Sequence, residues 1–444
     1  MKRLLASLAL FLPLSPAVAL AYELNAGGTT IMRLEQRDLN GNTQNIMPLT
    51  QFLQIDANRL GDDRLSFHLT GWGRVDAGDE STNGDKTNGN LDAAYLRYRH
   101  PTANGEVKLG RMFVYESGTI EQIDGIALRA DLLPTYEGLV GTFFAGVPVS
   151  QNKGENYRGD SLIGGRISYR LTGLLEIGAT AAQESGMLRT GEDADLKDYR
   201  RTFGGDLWYQ PIANVELTGR TVYDTVASSM AENNYRLTYK PTKQLTVAGE
   251  YRQNDLKATF SASNLRSLFN PTTSEKMTRY GGNVTYAFTS PYEVALDAYS
   301  YDRDTRDNSL RIGVDARTTQ MNGALLAGAG MHLVTAGEAK KAPATSQLNP
   351  SDFTELRAYA LYQLGAYTFS GDVIANLYDE DFNGNGKDTA YELKASAGYL
   401  ILPNLKLSAD VSYADTPDYD SDFRGLIRLT FNYEKSTTVK GAGQ

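Results

Sequence analysis

The feature that most constrains this chain is a parity. Runs that alternate apolar and polar residues are joined by connectors of two lengths, and the two lengths take turns along the sequence. The short ones are Gly61-Asp62-Asp63, Thr102 to Gly105, Pro134-Thr135, Thr172-Gly173, Pro211 to Asn214, Pro241-Thr242-Lys243, Ser290-Pro291, Thr319-Gln320, Leu364-Gly365 and Pro403-Asn404. They carry the Gly, Pro, Asn and Asp of tight hairpins. Between them stand longer, more polar connectors: Asp38 to Gln44, Gly78 to Gly89, Glu116 to Asp124, Ser150 to Gly159, Ser185 to Lys197, Ala227 to Glu232, Leu256 to Glu275, Asp302 to Asp307, Gly337 to Pro350, Asp379 to Lys387 and Thr416 to Ser421. A soluble β protein has no reason to send every long loop to one end, whereas a membrane barrel has short turns on one side and long loops on the other.

Ten short and eleven long connectors delimit about 22 strands, within a range of 18 to 24. The expected fold is therefore all-β: one transmembrane antiparallel up-and-down β-barrel with no plug domain, since its first strand begins about where the mature chain does. The hairpin from Met277 to Tyr301 shows the pattern at close range. Tyr280, Gly282, Val284, Tyr286 and Phe288 alternate with Arg279, Gly281, Asn283, Thr285 and Ala287, a period of two that belongs to strands. The phase becomes indistinct near Gly110-Arg111-Met112, where a bulge or an inward-folded loop is expected.

Assigned strand by strand, one face is aliphatic and aromatic. The other carries charges of both signs, expected to line a pore: Arg166, Arg170, Arg220, Arg236, Arg252, Arg279, Arg311, Arg357 and Arg428 against Glu176, Asp206, Glu216, Glu250, Asp297, Asp315, Asp372, Glu392 and Asp410. A charge on the lipid side would cost about 2–4 kcal/mol near the bilayer midplane, so this segregation implies a hydrated lumen.

The N-terminus supplies the compartment. Lys2 and Arg3 precede an apolar run from Leu4 to Leu14, and Ala19-Leu20-Ala21 gives the small-x-small cleavage pattern. Residues 1–21 thus read as a secretory signal peptide, residues 22–433 as the barrel and residues 434–444 as a polar tail. With no Cys, the chain has no disulfide, thiolate metal site or covalent haem attachment of its own. The net charge is −9, or −11 without Lys2 and Arg3, which argues against a nucleic-acid partner.

The signal peptide, the connector parity, Leu109-Gly110-Arg111 ending an early strand, the Asp124-Gly125-Ile126 start and the closing strand Gly425 to Tyr433 together resemble the bacterial outer-membrane porins. The resemblance spans nearly the whole mature chain and rests on pattern more than on a specific motif. It implies a Gram-negative outer-membrane location, contact with outer-membrane lipids, and a water-filled channel for passive diffusion of small hydrophilic solutes or ions. Porins usually end on an aromatic residue, whereas here Phe431 and Tyr433 are followed by the polar tail. A wide, unplugged barrel also fits the sheath of a porin–cytochrome complex, in which a multihaem cytochrome partner would carry electrons through the lumen.

Three further features bear on chemistry. Asp379, Asp381 and Asn383 before Gly384, with Asp388 beyond, look like the front half of a calcium loop, but Ala390 stands where the closing bidentate acid belongs. Apart from that weak calcium signal no cofactor is expected. His68 and His332 fall on the inward face and His100 at a strand end, without the nucleophile and base spacing of a catalytic site, so no enzyme is expected. The longest connector, Leu256 to Glu275, carries Phe260, Leu265, Leu268 and Phe269 and is expected to narrow the lumen, to dock a partner or to cap the surface against adjacent loops.

Overall fold

The computed structural model describes residues 21–39, 42–61, 63–79, 86–100, 104–116, 121–132, 138–149, 161–185, 199–255, 276–288, 291–304, 306–338, 340, 351–381, 386–417 and 421–436. Among these, 23 strand segments form one antiparallel sheet, in which each pairs with its sequence neighbours except that Asn42–Ile46 and Pro48–Leu60 both pair with Ala21–Leu39. The strand Ala21–Leu39 closes it, lying against Pro48–Leu60 on one side and against Asp422–Ser436 on the other, with Glu23 opposite Ser436 and Glu35 opposite Arg424. Every strand among the described residues has a partner on each side, and a closed sheet is the form of β structure that satisfies backbone groups within a membrane.

The segments Asn42–Ile46 and Pro48–Leu60 are one stave interrupted at Met47, because both pair with Ala21–Leu39 in continuous register. The barrel is therefore built from 22 antiparallel staves. The expected loop from Asp38 to Gln44 is smaller than the polar composition suggested, since Arg37, Asp38 and Leu39 pair with Gln44, Thr43 and Asn42. The turn expected at Thr319-Gln320 is displaced to Met321–Gly323. Pairing holds as far as Gln320 opposite Leu325, and Met321 and Asn322 make the reversal with φ of 53° and 56°, relieved by Gly323. Asp422–Ser436 carries Glu434, Lys435 and Ser436 in the closing ladder opposite Asn25, Leu24 and Glu23. The first three residues of the expected polar tail are thus wall; residues 437–444 and 1–20 lie outside the described residues.

The two faces of the wall differ as the alternation requires. Large apolar side chains stand open on one face: Leu109, Ile167, Ile177, Leu237 and Leu296 are 50–59% exposed, far more than a water-facing surface would arrange in a continuous band. Aromatic rows flank that band at two heights. Near the short turns Tyr286 meets Phe288 edge-on at 4.8 Å and Tyr367 lies 4.9 Å from Tyr399. Near the long connectors Tyr235, Tyr251 and Tyr280 are cross-strand partners in one row, and Tyr391 stands 6.0 Å from Tyr413. Two aromatic girdles around an apolar belt are the arrangement that suits a bilayer's two interfaces.

Candidate functional site

The other face is a ladder of ion pairs running from stave to stave, set by antiparallel register. Arg166 Nη2 is 2.9 Å from Glu176 Oε1 and 2.5 Å from Asp206 Oδ1, while Arg170 Nη2 is 2.5 Å from Glu176 Oε2. Further round, Arg220 pairs with Glu232 at 2.5 Å and Arg236 with Glu250 at 3.7 Å. Glu250 also holds Arg279, whose guanidinium lies 4.9 Å above the Tyr299 ring. The row continues through Arg311 and Asp297 at 2.9 Å, Arg357 and Asp372 at 2.7 Å, and Arg428 and Asp410 at 2.8 Å. Glu392 meets Lys394 on its own strand at 2.9 Å, and Asp315 meets His332 at 3.2 Å. Arg252 lies in the row opposite Arg279, and Glu216 opposite Thr238. The charges expected from sequence therefore share one face and are largely brought together in pairs, so the wall is polar without a strong field of either sign.

A segment of chain rises onto this face near Gly110. The strand Gly105–Val114 pairs with Thr87–His100 only as far as Arg111 opposite Ala94, yet stays paired with Glu121–Asp131 up to Val114 opposite Glu121. The split begins where Gly110 has a φ of +132° and where any Cβ would stand 2.2 Å from the Ala94 carbonyl oxygen. Side chains close the resulting seam. Gln122 Nε2 donates to the Leu91 and Asp92 carbonyls at 3.1 and 2.8 Å, and Arg111 forks onto Asp124 at 2.8 and 2.9 Å. The phase slip read in the sequence at Gly110-Arg111-Met112 is this departure.

Beyond the split, Met112 and Val114 pack with Ile123, Phe144, Leu162 and Ala182, all 0–7% exposed, an apolar island on the charged face. Glu116 then reaches three strands across. Its carboxylate accepts a hydrogen bond from the Thr142 hydroxyl and feels Arg166, Asp206 and Arg129. Burial pushes the Glu116 carboxyl above the ordinary glutamate range, more than Arg166 and the Thr142 bond lower it. The segment thus covers the charged face, while Ile163 and Ile167 on the opposite face stay 48% and 58% exposed. Glu116 was legible only as the first residue of a long connector; the phase slip six residues earlier was the available signal.

Of the other residues singled out, His68 bonds Asp56 and lies 5.0 Å from the Tyr95 ring, on staves far from His332. In the Asp379 loop, Asp381 Oδ2 accepts the Gly386 N–H at 2.5 Å and Asp388 Oδ1 accepts the Thr389 hydroxyl at 2.9 Å. Asn383 and the connector from Leu256 to Glu275 lie outside the described residues.

No protein-family model matches the chain, and no curated protein matches it in sequence. Solved structures do match it in shape. A mutant of the ferric enterobactin receptor PfeA of Pseudomonas aeruginosa superposes with a TM-score of 0.57 at 10% identity, covering 92% of this chain and 80% of that one. The fold is that of a large closed antiparallel β-barrel. The copper transporter OprC matches with a TM-score of 0.54 at 11% identity over the same shares, 92% and 80%. Pseudomonas aeruginosa OccK5 (OpdH) is aligned over 94% of this chain and 99% of that one, at 12% identity and a TM-score of 0.44. At these identities the likeness is one of fold.

Proposed function

We propose that this chain is an outer-membrane porin: a water-filled channel, without a plug domain, through which small hydrophilic solutes or ions diffuse passively. The observation that carries this reading is the pairing of an exposed apolar belt outside with a ladder of Arg–carboxylate pairs inside a closed 22-stave wall. Such a wall is costly to build unless lipid is on one side and water on the other. The eighteen charged residues expected from sequence then line the pore, and the Met112–Glu116 segment with Arg166 and Asp206 forms its constriction. The near-balance of paired charge suits hydrophilic solutes of either sign.

Proteoliposome swelling tests the reading. Vesicles bearing the purified chain should swell in isotonic solutions of small sugars or amino acids, at rates that fall with solute size. An absence of swelling, together with haem co-purifying from the native membrane, would instead support the cytochrome sheath.

A further inference from the structure

We propose that His332, Asp297 and Asp315 form a binding site for a divalent transition-metal ion on the lumen wall. The three are placed by register: Asp297 and His332 are each cross-strand partners of Gly313, and Asp315 stands two residues along the same strand as Gly313. Their ligand atoms converge within 4.8 Å of one another, the group of three such side chains that does so among the described residues. His332 Nε2 is 3.2 Å from Asp315 Oδ2 and 3.4 Å from Asp297 Oδ1. Ligands held at about 2.1 Å in a tetrahedral site stand about 3.4 Å from each other, so the two His332–aspartate edges already have that spacing, while the two carboxylate oxygens lie within 4.8 Å of each other. His332 Nε2 is within hydrogen-bond distance of Asp315 Oδ2, a bond that an arriving cation would displace together with the proton it holds.

The surroundings are built for this arrangement. The His332 side chain is 5% exposed, and its ring lies where a Cβ on Gly313 would meet Cδ2 at 1.8 Å. Asp315 lies likewise over Gly330, whose Cβ would meet Oδ1 at 2.1 Å. Two glycines thus clear the floor for two of the ligands. Glu355 Oε1 stands 2.9 Å from His332 Nδ1, although out of line for a hydrogen bond. A small rotation of the Glu355 carboxylate would bring it into line to hold the Nδ1 proton and turn the Nε2 lone pair toward the two aspartates, as carboxylates behind metal-binding histidines do. Arg311 Nη1 occupies the other oxygen of Asp297 at 2.9 Å, and Nη2 lies 3.8 Å from Glu355, leaving Asp297 Oδ1 free. With a neutral imidazole, three carboxylates and one guanidinium leave a local charge of about −2, which one divalent cation cancels. The Asp315 side chain is 53% exposed, so a fourth position opens to the lumen for water or for exchange.

The full chain in detergent micelles, stripped with a chelator and titrated with zinc chloride in a calorimeter, tests the site without requiring conduction. We expect one zinc ion per chain, with affinity reduced at least tenfold in H332Q and in D315N and about 10–100-fold in E355Q, while H68Q binds as wild type. Cobalt supplies a second readout: the visible absorption of tetrahedral cobalt in wild type, and only the weak spectrum of the hydrated ion in H332Q. Heat-modifiable gel mobility identifies variants that fold. Equal zinc uptake by wild type and a folded H332Q, or a cobalt spectrum in wild type that stays that of the hydrated ion, overturns the proposal.

Discussion

Arg166 is held by two carboxylates on neighbouring staves and lies within electrostatic reach of a third, Glu116. Its side chain is only 17% exposed, so replacing it strands acids that were neutralised in a half-dry place. R166Q should shift the reversal potential in a salt gradient toward cation selectivity and destabilise the barrel by about 1–3 kcal/mol, read by urea titration in vesicles. Glu116 adds a pH dependence. Its carboxyl sits above the ordinary range because burial disfavours the charged form. The stabilisation it contributes is therefore fully present below the unfolded value of about 4.3 and is lost as pH rises through the higher folded value. Acidification should neutralise the constriction carboxylate and lower cation preference at a pH above about 4.3, and E116Q should remove that step. A pH profile identical in wild type and E116Q would dissociate Glu116 from the constriction.

At the scale of elements the seam beside Gly105–Val114 is the least regular part of the wall. Gln122 stands in for the missing ladder by bonding two carbonyls of the strand Thr87–His100. Q122L should remove the amide hydrogen bond to the Asp92 carbonyl and leave Leu91 with only the 3.4 Å bond from Arg111 Nη1, and cost about 1–3 kcal/mol, seen as a lower temperature of barrel unfolding on heat-modifiable gels. G110V should do more, because its side chain would strike the Ala94 carbonyl and Gly110 has a φ that β-branched residues avoid. Here the sequence was half legible. Period-two alternation located the slip at Gly110, since a strand leaving its ladder loses phase, but alternation carries no information about where Glu116 lands three strands away. The His332 cluster was illegible for the same reason. His332, Asp297, Asp315 and Glu355 come from four strands, and only register brings them together.

For the whole molecule, connector parity was enough to give a stave number of about 22 within a range of 18 to 24, because each marked turn delimits one strand of an antiparallel barrel. The misread boundaries fall where polar residues pair anyway, at Asp38–Leu39 with Asn42–Gln44 and at Glu434–Ser436, which hydrophobic alternation cannot register. The claim that the apolar belt meets lipid predicts an asymmetry between faces. I167R, on a residue 58% exposed outside, should cost about 2–4 kcal/mol if it sits near the bilayer midplane, whereas S168T on the adjoining inward position should cost far less. The central claim is that the lumen conducts, and planar-bilayer recording of the purified chain tests it most directly. The account predicts stepwise, ohmic conductance that scales with bulk salt and changes its ion preference in R166Q; a folded barrel that inserts yet passes no current in any salt would contradict it.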